Sequence, residues 1–208
     1  MSDVGLIILA AGASTRMKTP KQLLPYAQQS LIEYVVKVAV ASVCRPIIVV
    51  LGAYAECIKP EINLEKVHIV ENQLWSEGMN SSIRVGIEAL NVINKKAKAV
   101  VLMVCDQPLI SPQIINQLVE VHETLLKPIV ASQYANTLGV PALFDYTLFA
   151  KLTTLSGTDG AKQLIKKYPQ EVLGIPFPEG AFDLDTSDDY EQFLIKMETR
   201  TSDRQLFA

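Results

Sequence analysis

The chain has 208 residues, of which 49% belong to the hydrophobic set AVILMFWYC and 20% are charged, and its formal net charge is −3 at pH 7. This composition is ample for one continuous core and excludes a disordered chain. Lys and Arg residues are scattered, so we expect no nucleic-acid partner, because polynucleotide binding relies on a basic face. The length fits one domain, which we place at residues 1–198, followed by a polar tail at 199–208.

Membrane and secretion signals are not expected from this sequence. No apolar run approaches the roughly 18 residues that a membrane span requires. The N-terminal segment MSDVGLIILAAG lacks the basic start of a signal peptide and is better interpreted as a buried strand. The three cysteines, Cys44, Cys57 and Cys105, are odd in number and form no C-x-x-C pair. We therefore expect a reduced, cytoplasmic protein without a disulfide framework or a cysteine zinc site.

Short apolar runs alternate with amphipathic stretches along much of the chain. Strands are predicted at residues 4–10, 47–51, 67–70, 99–104 and 129–131. These runs are continuously apolar, which is typical of strands buried on both faces of a parallel sheet. Helices are predicted after capping signals at Ser30, at Asn80 or Ser81, at Ser111 and at Thr186, and they should end near residues 43, 94, 126 and 197.

The order of these elements predicts the fold class. Strands that alternate with helices favour a three-layer α/β/α sandwich, Rossmann-like, with a mostly parallel sheet and helices on both faces. The last third of the chain is rich in glycine and proline and predicts an antiparallel addition to the sheet. Ligands of open α/β sheets bind beyond the carboxyl ends of the strands, so the motifs that follow strands bear most directly on function.

The segment after the first strand combines small residues with two cations. It contains LAAGASTRMKTPK over residues 9–21. Small side chains at 10–14 allow backbone N–H groups to approach an anion, and Gly12 can adopt a positive φ. Arg16 offers a fork for phosphate oxygens, and Lys21 offers a point charge. The loop is neither G-x-x-x-x-G-K-[ST] nor G-x-G-x-x-G, and an ordinary strand-to-helix turn with solvated cations is the alternative.

Three aspartates are candidate metal ligands. Asp106 follows the predicted strand at 99–104, where a carboxylate is costly unless it is paired or coordinating. Asp183 and Asp185 lie two apart, so in a strand both would point to one face, with Leu184 on the other. Magnesium prefers one or two carboxylates together with substrate phosphates. A capping or turn role for Asp106 and a merely solvated Asp183 are the alternatives.

Six segments, in order along nearly the whole chain, resemble those of a known family. They are the loop over 9–21, NQLWSEGMNSSI over 72–83, CDQP over 105–108, GVP over 139–141, GTDGA over 157–161 and DLDTSDDY over 183–190. Together they resemble the molybdenum-cofactor cytidylyltransferases, which belong to the nucleotidylyltransferases with a Rossmann-like GT-A sheet of the nucleotide-diphospho-sugar transferase type. Two positions depart from the family pattern: Lys18 replaces the usual Gly, and GTDGAK ends in Lys162 where the family has G-D-x-G-A-R.

The resemblance implies a Mg²⁺-dependent enzyme that transfers CMP from CTP to the terminal phosphate of molybdopterin and releases pyrophosphate. It implies Asp106 and Asp185 as metal ligands, with Asp183 as a further candidate, and it places Arg16 and Lys21 on the β- and γ-phosphates. The residues that it implies for contact with base and ribose are Leu9, Ala10, Ala11, Gly12, Gly78 and Ser82. A recipient molybdoenzyme would be a further partner.

Several alternatives stay open at this point. The LAAG form of the loop favours the cytidylyl branch over a guanylyltransferase, whose loop has the form L-A-G-G, and an enzyme acting on a sugar or alcohol phosphate is a further rival. A non-catalytic factor that delivers the cofactor is less favoured, because two carboxylates repel a triphosphate unless a metal intervenes. Trp75 could stack on a base, but core packing is favoured. His68 and His122 have no metal-ligand spacing, and Cys105 is interpreted as a small buried hydrophobe.

Overall fold

The computed structural model describes residues 3–17, 19–26, 28–63, 65–157 and 159–206, with side chains of the last helix described as far as Met197. The expectations for Lys18, and for Thr158 in the GTDGA segment, lie outside the described residues. The strands are β1 Val4–Ala10, β2 Pro25–Tyr26, β3 Gln29–Ser30, β4 Ile47–Leu51, β5 His68–Glu71, β6 Ala99–Val104, β7 Ile129–Tyr134, β8 Thr137–Asp145 and β9 Val172–Pro176. The α-helices are α1 Leu31–Ala41, α2 Ala55–Ile58, α3 Met79–Ile93, α4 Pro112–Leu125, α5 Phe149–Thr153, α6 Lys162–Lys167 and α7 Ser187–Leu206.

Seven of the strands form one sheet with the order β5-β4-β1-β6-β8-β7-β9. The four strands β5, β4, β1 and β6 are parallel, whereas β8 runs antiparallel to both β6 and β7. The prediction of a mostly parallel sheet with an antiparallel addition is therefore confirmed. Leu9 pairs with Val104 and Ala10 with Leu51, so β1, β4 and β6 end at the same edge of the sheet.

The core lies in two layers, one on each face of the sheet. Alternate residues of β1 point to opposite faces, because side chains of a strand alternate. Leu6 and Ile8 pack with α1, α4 and the buried Phe193 of α7. Ile7 and Leu9 pack with α3, α5 and α6. The predicted three-layer α/β/α sandwich is confirmed.

Three of the four predicted helix starts hold, with side-chain caps at Ser30, Ser111 and Thr186. The Ser30 hydroxyl accepts a hydrogen bond from the Glu33 N–H at 3.4 Å, and the Ser111 hydroxyl accepts one from the Ile114 N–H at 3.5 Å. Each bond satisfies a backbone donor that the first turn of a helix leaves without an intrahelical partner.

The predicted cap of α3 at Asn80 or Ser81 is wrong. The helix begins at Met79, and Gly78 precedes it with a φ of 97°, a conformation that favours glycine. The Asn80 amide donates to the Gly157 carbonyl at 2.6 Å, and the single proton of the Ser81 hydroxyl has two acceptors in reach, the Leu74 carbonyl at 2.9 Å and the Gly78 carbonyl at 2.8 Å. Both side chains therefore bind other segments from within the first turn of the helix.

The last helix begins where the sequence predicts but continues further. Thr186 precedes it, and the Thr186 hydroxyl accepts from the Asp189 N–H at 3.2 Å. The helix reaches Leu206 instead of ending near residue 197. The division of the chain at residue 198 stays a prediction. None of the helices in the described part of the chain combines the length and the apolar character needed to span a membrane.

Candidate active site

A cleft of about 520 Å³ opens at the edge of the sheet where β1 and β6 end. Its walls come from the loop after β1, the first turn of α3, the end of β6 and the segment before α7. A cavity of about 610 Å³ lies elsewhere, between α1 and residues 60–63, and none of the predicted site residues lines it. The motif-bearing cleft is therefore the candidate site, as expected for an open α/β sheet.

One ammonium group joins two carboxylates at the floor of this cleft. Lys21 Nζ donates to Asp106 Oδ2 at 2.6 Å and to Asp185 Oδ1 at 3.1 Å. The guanidinium of Arg16 donates to the other oxygen of Asp185 at 2.8 Å. Only 15% of the Lys21 side chain is exposed, whereas Arg16 lies largely in solvent. The predicted catalytic cations and two of the predicted metal ligands thus come together.

The charges in this cluster stabilise one another. Burial lowers the pKa of the Lys21 ammonium, but the charges and hydrogen bonds of Asp106 and Asp185 outweigh burial and raise it overall. Burial raises the pKa of Asp185, but Lys21 and Arg16 outweigh it and lower it overall. Both directions follow from opposite charges held within hydrogen-bonding distance. These directions favour the charged forms of Lys21 and Asp185.

Asp183 lies in the same cleft but in a different environment. The segment 182–185 is not a strand, contrary to the geometry that the sequence suggested, although Leu184 is buried between the two aspartates and donates its N–H to the Asp106 carbonyl at 2.9 Å. Partial burial of the Asp183 carboxyl by the cleft and the nearby charge of Asp106 raise the pKa of this group. Solvent at this exposed residue limits that rise.

The fit of this cleft to a divalent cation depends on Asp106 and Asp185. Among the described residues, no three His, Cys, Asp or Glu side chains form a group that could hold a metal ion, so the three aspartates are not a preassembled site. Asp106 Oδ1 is buried and has no hydrogen-bond partner in the described structure. An orphaned carboxylate oxygen beside a second carboxylate suits Mg²⁺, which takes one or two protein carboxylates and completes its coordination with phosphates and water.

The residues predicted to contact the nucleotide all line the cleft. Their positions follow from the end of β1 and the start of α3: Leu9, Ala10, Ala11, Gly12, Gly78 and Ser82. One detail of the loop differs from the prediction. Within residues 11–17, the positive φ is at Ser14, at 50°, and not at Gly12. Glycine at position 12 is therefore not required by backbone conformation.

The preferred interpretation of Trp75 as a core residue is wrong. Trp75 begins a short 3-10 turn after β5, is 38% exposed and lines the cleft. The buried Asn72 holds this turn, because its side-chain oxygen accepts from the Leu74 N–H at 2.9 Å and its amide donates to Ser81 and Ser82 hydroxyls. The aromatic ring is thereby kept out of the core and at the mouth of the cleft.

Two other expectations concern cysteine and histidine. Cys105 is buried at the end of β6, and burial raises the pKa of its thiol, so the interpretation as a small hydrophobe is confirmed. His68 is exposed on β5, and the buried His122 has Nδ1 at 2.9 Å from the Lys127 carbonyl oxygen. Neither histidine lines the cleft.

Sequence inspection missed Gln22 as a site residue. It follows Lys21 directly, is buried and lines the cleft. The sequence does show a polar residue between Lys21 and the apolar pair Leu23-Leu24. Its role could not be predicted, because it depends on hydrogen bonds to backbone carbonyls that a sequence does not reveal.

The chain is similar to several known proteins and solved structures. Nicotine blue oxidoreductase of Paenarthrobacter nicotinovorans is 33% identical over 78% of this chain and 81% of that protein. The molybdenum cofactor cytidylyltransferase of Escherichia coli strain K12 is 31% identical over a smaller share, 43% of this chain and 47% of that protein. The structure of Rv0371c from Mycobacterium tuberculosis H37Rv is 30% identical, with a TM-score of 0.79 and coverage of 93% of this chain and 98% of that one.

A second structure of Rv0371c was solved in complex with manganese; it is 29% identical, with a TM-score of 0.69 and coverage of 91% of this chain and 96% of that one. A divalent cation in a relative of this similarity is consistent with a divalent metal requirement. The family described as the MobA-like NTP transferase domain matches residues 6–172. The chain belongs to this family of nucleotidyltransferases.

Proposed function

We propose that this protein is a Mg²⁺-dependent nucleotidylyltransferase that transfers CMP from CTP to the terminal phosphate of a molybdopterin-type acceptor and releases pyrophosphate. The observation that carries the proposal is the Lys21–Asp106–Asp185 cluster on the floor of a cleft beside a loop of small residues. The LAAG form of that loop, and the relative named as a molybdenum cofactor cytidylyltransferase, favour CTP and this acceptor.

The chemistry requires positioning more than proton transfer. A phosphate monoester has a second pKa of about 6, so the acceptor is largely dianionic at neutral pH and needs no strong general base. The difficulty is to bring two anions together for in-line attack on the α-phosphorus. In this proposal Lys21 and Arg16 hold the β- and γ-phosphates and stabilise the leaving pyrophosphate.

The remaining residues give the substrates their orientation. Asp106 and Asp185 would hold the magnesium ion, which supplies neutralisation of the charge on the α-phosphate. The loop from Leu9 to Gly12, with Gly78 and Ser82 opposite, contacts base and ribose in this proposal, and its backbone N–H groups also approach the phosphates. Trp75 at the mouth of the cleft offers an aromatic face to the base.

The test is a pyrophosphate-release assay with molybdopterin and each of the four nucleoside triphosphates, with Mg²⁺, with Mn²⁺ and with chelator. We expect release with CTP, dependence on the divalent cation, and loss of release in Asp106→Asn. GTP in place of CTP would identify a guanylyltransferase, and release only with sugar or alcohol phosphates would change the acceptor. Cation-independent CTP binding without turnover would instead indicate a delivery factor and would refute the enzyme.

The 33% identity with nicotine blue oxidoreductase supports a second candidate function, that of an oxidoreductase. The two candidates differ in what they consume. Nucleotidyl transfer consumes a nucleoside triphosphate, whereas a redox reaction oxidises an electron donor, which is followed by the change in the absorbance of that donor. A parallel assay with a reduced nicotinamide cofactor as electron donor and a redox dye as electron acceptor separates them. Turnover of the reduced cofactor with no pyrophosphate release from any triphosphate would favour the oxidoreductase.

A further inference from the structure

Gln22 binds the backbone of the loop that follows β1. Its side chain is buried within the 3-10 turn Lys21–Leu23, and the residue is only 1% exposed. The amide Nε2 donates to the Ala10 carbonyl at 2.9 Å and to the Gly12 carbonyl at 3.0 Å. Both N–H bonds of one amide group are therefore used on two carbonyls of the same loop.

The carbonyl between these two is also held by the protein. The Ala11 oxygen accepts from the Ala53 N–H at 3.2 Å, next to the end of β4. Three consecutive carbonyl oxygens of the loop thus accept hydrogen bonds from protein donors. Carbonyl oxygens repel phosphate, so binding them to protein donors favours a loop that presents its N–H groups to an anion.

The same network reaches the catalytic lysine. The Ser14 hydroxyl accepts from the Lys21 N–H at 3.1 Å and donates to Gln22 Oε1 at 3.5 Å. Ser14 has a φ of 50°, a left-handed conformation that is unfavourable for a residue other than glycine. Such a conformation persists only where surrounding contacts impose it. Gln22 and Ser14 together connect the loop to the backbone of Lys21.

We propose that Gln22 is a positioning residue that holds residues 10–12 and Lys21 in the geometry for binding a nucleoside triphosphate. This inference rests on the proposed function, because it assigns the loop to the nucleotide. Gln22 acts through its neighbours: its two donor bonds fix the loop, and the loop and Lys21 bind the substrate. Loss of those donors should therefore weaken nucleotide binding more than it slows the chemical step.

The experiment compares Gln22→Met, which has a similar shape but no donor, with Gln22→Glu, whose carboxylate faces the same two carbonyls. The matched control is Gln113→Glu, at an exposed glutamine of α4. Calorimetry gives the Kd for CTP with Mg²⁺, steady-state kinetics give KM and kcat, and thermal melting confirms that each variant is folded. We expect both Gln22 variants to raise Kd and KM at least tenfold with a smaller change in kcat, and the control to change none of them.

A pH series separates positioning from general damage. Protonation of the carboxyl introduced by Gln22→Glu restores one O–H donor, so its Kd relative to wild type should improve as the pH falls. The relative Kd of Gln22→Met should stay constant over the same range. If Gln22→Met bound CTP with wild-type affinity, even with a lowered melting temperature, the inference about Gln22 would be overturned and the proposed function would stand. Failure of the wild-type protein to bind any nucleoside triphosphate would overturn the proposed function and this inference with it.

Discussion

Lys21 is the residue on which the charge arrangement of the cleft depends. Its ammonium separates Asp106 from Asp185, and without it two carboxylates would face each other in a partly buried space. We expect Lys21→Ala to lower turnover by about 10²–10³, the usual cost of removing one group that stabilises transition-state charge. The measurement is pyrophosphate release under saturating substrates. Lys98→Ala, which removes an exposed lysine paired with Asp3, is the control, and a few-fold effect of Lys21→Ala would refute the role.

Residues of the site differ in how far the sequence predicts them. The sequence predicts Asp106 from its place after a buried strand and Lys21 from its place on the loop after β1, whereas Asp185 is predicted chiefly from the family resemblance. The sequence does not predict the role of Gln22 or the exposure of Trp75, because both depend on contacts with other segments. A buried glutamine is understood only from its carbonyl partners, and the exposure of Trp75 depends on the turn that Asn72 holds.

At the scale of elements, α3 determines one wall of the cleft, because its first turn carries Ser82 and follows Gly78. Gly86 allows this helix to approach the sheet: a Cβ atom there would lie 2.8 Å from Cγ2 of the buried Ile7. Overpacking of this kind costs about 1–3 kcal/mol and opposes the gain of about 1 kcal/mol in helix propensity.

We therefore expect Gly86→Ala to lower the free energy of unfolding, by about 1 kcal/mol after this offset. Urea denaturation followed by circular dichroism measures the change. Val92→Ala, at a 78% exposed position of the same helix, should change stability by less than about 0.5 kcal/mol. An increase in stability in Gly86→Ala would show that α3 does not pack against β1 as described.

Elements in the first half of the sheet were predicted closely, and those in the second half were not. Strands β1, β4 and β6 are buried on both faces, so their sequences are continuously apolar and their ends match the prediction. Strand β9 is only partly buried, and its pattern does not distinguish it from a loop. The start of α3 was missed because Asn80 bonds to Gly157, a partner that is distant in sequence.

At the scale of the whole molecule, the cluster joins three distant parts of the chain. Lys21 lies 85 residues from Asp106 and 164 from Asp185. The pKa of Asp185 is lower in the folded state than its usual value of 3.8. The ionised carboxylate therefore stabilises the fold at a pH above 3.8, and this contribution is lost as the pH falls through the lower pKa of the folded state. Its side chain is 37% exposed, so screening keeps the contribution small.

The corresponding prediction concerns Asp185→Asn. We expect this variant to melt at a lower temperature than wild type near pH 7, and the difference to shrink as the pH falls below about 3.8. Calorimetric melting between pH 7 and pH 3 measures it. Asp159→Asn, at an exposed aspartate with a 3.5 Å ion pair to Lys166, is the control. A difference that is constant across this range would mean that Asp185 does not stabilise the fold through its charge.

The exposed position of Trp75 has a practical consequence. The chain contains a single tryptophan, and its indole stands at the entrance to the cleft. Intrinsic fluorescence excited in the indole band therefore originates from one known location. Occupancy of the cleft can be followed by that emission in the unlabelled protein, without a dye or a tag.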